Sequence, residues 1–236
     1  MSKKEVNGVR VDCGGINEET HPFNNVDDLK GAKYLIVGTF PPHRFGIEPK
    51  NQNKSVLTTD EYGDEVFWFY GSKNNEMWGE NGKGGLLQKA LGCENEILKT
   101  LDERKKFCSA RDIAFLDLFQ VIKRYGDLSS DSNIFPTEIV NLVHYLEENP
   151  NIKAVLFTST WVEQIAKKEY LRINKEKLEK AGKKTDYVER GVFYRFKNGD
   201  EVKIFTLPSP SPSNSDSSDN KLLKWLEVFD AIKELK

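Results

Sequence analysis

The chain has 236 residues, with 35 basic and 37 acidic side chains and a formal net charge of −2. That length lies near the limit of about 250 residues for one hydrophobic core, so a single domain over 1–236 is expected. Hydrophobic residues at 38% and aromatic residues at 11% suffice for a core and exclude a disordered chain, while the balanced charge excludes a uniformly basic nucleic-acid coat but not a local basic groove. No apolar run approaches the roughly 20 residues that span a bilayer. The amino terminus lacks the apolar stretch of a signal peptide. A soluble cytoplasmic protein is the expectation, with no membrane contact and no evident protein partner.

Three cysteines, Cys13, Cys93 and Cys108, are odd in number and widely spaced. They suggest neither a disulfide framework nor a Cys-x-x-Cys metal site. His21, His43 and His144 form no ligand pair at helical spacing. No metal and no cofactor are expected.

In chain order, Tyr34 to Val37 is a continuous apolar run stopped by Gly38-Thr39-Phe40-Pro41-Pro42. Such a run reads as a strand buried on both faces, as in parallel sheets. Ile113 to Leu118 and Ala154 to Phe157 repeat the pattern. A helix is predicted from Pro136 to Glu148, with proline in its first turn and Ile139, Leu142, Val143 and Leu146 on one face. A second helix is predicted from Trp161 to Ile173. Val188 to Phe196 and Glu201 to Thr206 alternate around Lys197-Asn198-Gly199-Asp200, a hairpin signal. The last helix is predicted over Lys221 to Leu235, with Leu222, Trp225, Leu226, Phe229 and Ile232 on one face. Residues 44–65 read as an insertion loop and 174–187 as a charged, lysine-rich loop or helix end. Strands alternating with helices predict an α/β fold around a mostly parallel sheet.

In open α/β sheets, ligands bind at the carboxyl ends of the strands. Three polar segments should gather there: Gly38 to Arg44, Asp117 onward, and Leu207 to Asn214. None matches a phosphate-binding loop, a dinucleotide fingerprint or a serine-hydrolase elbow. The segment Phe67-Trp68-Phe69-Tyr70-Gly71-Ser72-Lys73-Asn74-Asn75-Glu76-Met77-Trp78 packs four aromatics ahead of a polar turn. It reads either as a stacking surface for a planar base or as a core plug with Asn74 or Asn75 capping a turn.

The ordered set of segments resembles the uracil-DNA glycosylase superfamily, and within it the hypoxanthine-DNA glycosylase branch. That branch has Gly-Thr-Met-Pro-Gly where this chain has Gly38-Thr39-Phe40-Pro41-Pro42, and Tyr-x-x-Pro-x-Asn-x-Phe-Trp where it has Tyr70 to Trp78. The resemblance continues through Leu116-Asp117-Leu118-Phe119, Gly126 to Ile134 and Phe157-Thr158-Ser159. It ends at Leu207-Pro208-Ser209-Pro210-Ser211-Pro212-Ser213-Asn214, against Leu-Pro-Ser-Thr-Ser-Pro-Ala-Asn in the branch. Pro42 replaces a glycine, Lys73 replaces a proline, and the loop between the first two motifs is longer here.

The resemblance implies a three-layer α/β/α sandwich with a central, mostly parallel sheet, and hydrolysis of the base–sugar bond of a deaminated base flipped out of DNA. The partner is then DNA carrying a damaged base. By motif position, Asn75 is the candidate catalytic residue, with helix capping as its alternative role. Gly38, Thr39, Phe40, Pro41 and Tyr70 are the base-binding candidates; Phe40 reads equally as a core aromatic, and Tyr70 as packing on Trp68. Ser209, Pro210, Ser211, Pro212, Ser213 and Asn214 are the DNA-binding candidates, since proline stiffens a loop and hydroxyls and amides suit phosphates. Asp117 reads as a structural hydrogen-bonding group, His43 and Arg44 as phosphate or base contacts, and His144 as structural. The alternatives are a noncatalytic nucleic-acid or nucleotide-binding module and a hydrolase of free nucleosides.

Overall fold

A computed structural model describes residues 4–6, 9–11, 16–46, 65–79, 84–126, 131–180 and 191–235. Most of the expected insertion loop (47–64), the second half of the charged loop (181–187) and the start of the expected strand at 188–190 lie outside the described residues. Strands β1 (Lys4–Val6) and β2 (Val9–Val11) pair antiparallel. β3 (Ile16–Thr20) leads through a short 3-10 turn to β4 (Tyr34–Gly38) and α1 (His43–Gly46). The short α2 (Leu86–Ala90) and α3 (Leu101–Ser109) follow, then β5 (Ile113–Asp117), β6 (Phe119–Tyr125) and β7 (Ile134–Ile139). The remainder is α4 (Leu142–Glu148), β8 (Ala154–Phe157), α5 (Thr160–Lys180), β9 (Val192–Arg195), β10 (Glu201–Thr206) and α6 (Ser218–Lys233).

The central sheet has the order β5-β4-β8-β10-β9, parallel throughout except for β9 at one edge. The three apolar runs form β4, β5 and β8, buried on both faces as continuous apolar strands must be. Alternation then divides the core into two layers. Leu35 and Val37 of β4 pack with Leu142 and Leu146 of α4 and Val162 and Ala166 of α5. Ile36, one position between them, packs with Leu86 and Leu87 of α2, Phe107 of α3, and Trp225, Phe229 and Ile232 of α6. The fold is therefore mixed α/β, with helices on both faces of a mostly parallel sheet.

A second sheet, β3-β6-β7, is antiparallel and departs from the predicted elements. Residues Ile134–Ile139 form a strand, so the helix expected from Pro136 begins only at Leu142, capped by Asn141 whose side chain accepts from the His144 amide. The apolar spacing suited a helix, but pairing with β6 claims Ile139 opposite Phe119 and Pro136 opposite Ile122. β7 is an edge strand, where a proline lacking its donor is tolerated. The charged segment is helical up to Lys180, continuing α5. His144 lies on the solvent side of α4, beside Glu148 at 3.4 Å.

Helix α6 starts one turn earlier than its apolar stripe suggests, because the Ser217 hydroxyl accepts from the Asn220 amide and caps it. Trp225 is fully buried, stacks on Phe229 at 5.9 Å, and donates its indole N–H to the Pro208 carbonyl at 3.1 Å. It anchors α6 to the sheet and also holds the root of the proline-rich loop. Trp225→Ala removes a large core side chain and leaves that carbonyl unpaired, so it should cost about 3–5 kcal/mol in chemical denaturation.

Candidate active site at the carboxyl ends of the parallel strands

The chain runs from β4 to β5 on one side and then crosses to β8 on the other, so the topological switch lies at the carboxyl end of β4. Register places Gly38 opposite Asp117 and Val37 opposite Phe157, and the Thr158 amide donates to the Val37 carbonyl at 3.0 Å. Gly38, Asp117 and Thr158 therefore come together from three strands separated widely in sequence. Tyr70 reaches the same point, its hydroxyl 3.2 Å from Thr158 Oγ1. A Cβ on Gly38 would collide with both the Tyr70 hydroxyl and Asp117 Oδ1. Glycine is required here by close approach, not by its backbone angles. Tyr70 itself has a φ of 55°, the left-handed region that a bulky residue occupies only where its surroundings enforce it.

Asp117 is held from several directions. Its backbone is clamped by Asn24, whose Oδ1 accepts the Asp117 N–H at 2.9 Å and whose Nδ2 donates to the Asp117 carbonyl at 2.9 Å. Oδ2 is bonded to His21 Nε2 at 2.9 Å. His21 Nδ1 accepts two backbone N–H groups, of Phe23 at 3.1 Å and Asn24 at 2.9 Å. The ring proton therefore sits on Nε2 and is donated to the carboxylate. Burial is the main cause that holds the Tyr70 hydroxyl well above the ordinary phenol range, and the negative charge of Asp117 adds to it. Tyr70 is a neutral phenol throughout the working pH range.

Thr39 turns its hydroxyl to Asp131, donating to Oδ1 at 3.2 Å. The carboxyl of Asp131 is enclosed although the residue as a whole is exposed. That burial chiefly lifts it above the usual carboxylate range; the Thr39 bond opposes the shift and the charge of Asp117 reinforces it. Phe40 is buried and meets the His21 ring edge-on at 5.2 Å, with the Arg124 guanidinium 5.8 Å from its own ring centroid. Pro41 is buried as well, and its carbonyl accepts from Arg124 Nη2 at 2.9 Å. Arg124 and Glu19 form a buried ion pair between β6 and β3 (Nε to Oε1, 2.8 Å), which His43 joins through Nδ1 at 2.6 Å from Glu19. Arg44 binds Glu65 and the Ser72 hydroxyl at 2.6 Å. Burial alone would raise Glu65, but hydrogen bonds from Arg44 and the Lys73 amide outweigh it and hold the carboxyl below its ordinary range. His43 and Arg44 thus have protein carboxylates as partners, tying α1 to Glu19 of β3 and to Glu65 and Ser72 of the segment around Tyr70.

The aromatic segment divides between two roles. Trp68 stacks on Trp78 at 5.8 Å and Phe69 on Phe115 at 5.7 Å, forming a plug on the core. Tyr70 turns away from Trp68 toward Phe115 and Thr158. Asn75 is half-buried, and its Oδ1 accepts the Met77 N–H at 3.0 Å, so it does cap a turn. Its side-chain NH2 makes no hydrogen bond among the described residues.

That turn is tied to the proline-rich loop. The Glu76 amide donates to the Pro210 carbonyl at 2.9 Å, and buried Lys221 bridges Glu76 Oε1 at 2.7 Å to the Ser211 carbonyl at 3.0 Å. Pro210 is buried and Ser209 half-buried, while Pro212 and Ser213 are exposed at the tip. Ser211 and Ser213 share a hydroxyl contact at 2.7 Å, and Asn214 Oδ1 accepts from the Asp216 amide at 2.9 Å. The loop is thus fastened at its base and exposed at its tip.

Two of the basic side chains of 99–111 are held by other groups of the protein. Arg111 lies at the amino end of β5 and pairs with Glu96 at 2.6 Å, and Arg104 is buried over Trp78. Burial pushes the Cys108 thiol up to about 12, which makes it no nucleophile. Among the described residues, no three His, Cys, Asp or Glu side chains converge as metal ligands, and no helix is long and apolar enough to cross a membrane. Sequence reasoning missed His21, Asn24, Asp131, Glu19, Arg124 and Lys221. Alternation of Ile122 and Arg124 on one face of β6 was the one local signal that could have marked Arg124 as buried.

Three substitutions test this construction. Gly38→Ala forces the Tyr70 hydroxyl and Asp117 apart and should cost about 1–3 kcal/mol, read from thermal unfolding. Arg124→Met leaves Glu19 buried without its guanidinium and should cost about 3–5 kcal/mol; Arg124→Met with Glu19→Leu should recover part of the loss.

The sequence matches no protein-family description and no curated protein. Among solved structures, the chain is similar to the solution structure of a "putative Uracil DNA glycosylase" from Methanosarcina acetivorans. The two share 17% sequence identity and a TM-score of 0.51, over 94% of this chain and 99% of that one. Nearly the whole of both chains thus follows one path, and this protein has a uracil-DNA-glycosylase-like fold.

Proposed function

We propose that the protein is a monofunctional DNA glycosylase of the uracil-DNA glycosylase superfamily, nearest the hypoxanthine branch, acting in cytoplasmic base excision repair. It hydrolyses the N-glycosidic bond of a deaminated base, of the uracil or hypoxanthine type, flipped out of DNA. The observation that carries this reading is the convergence of four separated segments on the carboxyl end of β4. Gly38 to Pro41, Tyr70, Asp117 and Thr158 meet there, and the Ser209–Asn214 loop follows β10 at the same end of the sheet, on a fold shared from end to end with a glycosylase-like structure.

In this reading the exposed tip, Pro212 and Ser213, enters the duplex. Its hydroxyls and backbone amides, with those of Ser209, Ser211 and Asn214, meet phosphates. Extruding a base costs a few kcal/mol, less when it is mispaired, which favours deaminated bases. The base enters beside the Gly38–Pro41 turn and Tyr70, whose neutral hydroxyl lines the pocket. Phe40 acts from beneath by holding the His21 ring. Bond cleavage builds positive charge on the sugar and negative charge on the base, so groups fixed before reaction lower the barrier. Asn75 keeps its Oδ1 in the turn and offers its free NH2 to the substrate.

Base release from labelled duplexes carrying uracil, hypoxanthine or xanthine tests this reading. Wild type should release at least one of them. Asn75→Ala should remove most release and leave duplex binding nearly unchanged. Loss of binding and release together would assign Asn75 to the fold through its bond to Met77. A folded protein that releases no base would instead be a noncatalytic nucleic-acid or nucleotide-binding module.

A further inference from the structure

Lys221 is the one buried lysine among the described residues, its side chain 1% exposed. It lies in the first turn of α6, where the helix dipole disfavours a cation. Its ammonium reaches Glu76 Oε1 and the Ser211 carbonyl. Glu76 Oε2 is sealed from solvent and finds no hydrogen-bond partner among the described residues. Desolvation of both charges and of that oxygen offsets the attraction within the pair, so an apolar pair of similar volume would hold the junction at least as well. Stability alone leaves this arrangement unexplained.

What the pair adds is direction. The turn that carries Asn75 meets the proline-rich loop at two successive carbonyls. The Glu76 amide donates to that of Pro210, and the Glu76 side chain, through Lys221, reaches that of Ser211. One hydrogen bond would act as a pivot, whereas two on adjacent residues of the loop fix its angle to the turn. Asn75 immediately precedes Glu76, and its Oδ1 is tied to the Met77 amide just beyond. The direction of its NH2 is therefore set by the same peptide units that Lys221 holds.

We infer that Lys221 is a positioning residue, which acts through Glu76 to set the spacing and angle between Asn75 and the Ser209–Asn214 loop. This rests on the glycosylase reading above, in which Asn75 meets the extruded nucleotide and the loop meets phosphates beside it. Both contacts fall on one stretch of DNA, so they form together only if the spacing is right to within about 0.5 Å. A displacement of about 1 Å can lower a rate about 100-fold. A charge-assisted, directional bridge fixes such a spacing, and a non-directional apolar contact does not.

The test uses Lys221→Met combined with Glu76→Leu, which removes both charges together and so spares the fold. Its thermal midpoint should stay close to that of wild type. Single-turnover base release at saturating protein should fall about 10- to 100-fold, with affinity for a duplex carrying a hydrolysis-resistant 2′-fluoro nucleotide nearly unchanged. In an Asn75→Ala background the same pair should slow release no further, because its effect travels through Asn75. Release at the wild-type rate, or an equal fall in both backgrounds, overturns the assignment. A wild type that binds duplex but releases no base removes the glycosylase reading, and the NMR signal of the Asn75 side-chain NH2, identified by its loss in Asn75→Ala, then decides. The positioning role stands if saturating duplex shifts that signal in wild type and not in the charge-free variant, and it falls if both or neither respond. A wild type that binds no duplex removes both. Should the double variant fail to fold, Lys221→Gln, too short to span Glu76 and Ser211, takes its place with the same outcomes.

Discussion

The whole arrangement of the candidate site depends on β4 being flanked by β5 and β8 in parallel register. That pairing sets Gly38 beside Asp117 and leads the chain after Phe157 into Thr158 at the same level. Parallel strands must be joined by crossovers, so the loops leaving their carboxyl ends are free of hairpin geometry and can carry polar groups. The absence of a side chain at Gly38 then decides how close those groups come. Tyr70 and Asp117 share the space that any Cβ would fill.

Three buried or half-buried charge networks fasten the loops around that point. Glu19 with Arg124 holds the Pro41 carbonyl, Arg44 with Glu65 holds the turn at Ser72, and Lys221 with Glu76 holds the Ser211 carbonyl. Such pairs add little net stability, because desolvation offsets much of the attraction. Removing one member is costly, since a charge is left in a poor dielectric. Their effect is geometric: each network ends on a backbone carbonyl or hydroxyl of a loop, so loops without secondary structure keep one position. The partners lie 105 residues apart for Glu19 and Arg124, and 145 apart for Glu76 and Lys221. The site is consequently formed only when the whole domain is folded.

Legibility followed the range of the interactions. Continuous apolar runs at Tyr34, Ile113 and Ala154 were readable as strands because burial on both faces leaves a local mark. The stripe of Trp225, Phe229 and Ile232 was readable as a helix for the same reason. The β6–β7 pair was not, since Pro136 and Ile139 satisfy a helical period until pairing with β6 overrides it. At the site, the motif segments were readable as candidates, and the structure brings the first motif, Tyr70 and Asp117 together. The aromatic run, read as stacking surface or plug, supplies a plug through Trp68, Phe69 and Trp78, while Tyr70 reaches Thr158 at the carboxyl ends of the strands.

The sequence by itself determined the layered α/β class, the order of the strands along the chain and the polar segments that follow them, because period and turn chemistry are written in neighbouring residues. Tertiary structure alone decided which polar groups act together. His21, Asn24 and Asp117, or Thr39 and Asp131, carry no spacing that announces their contact. Their partnership arises from register and burial across some 90 residues of chain. Hydrogen bonds of that kind are selected by where the folded core excludes water, and exclusion of water is a property of the whole fold.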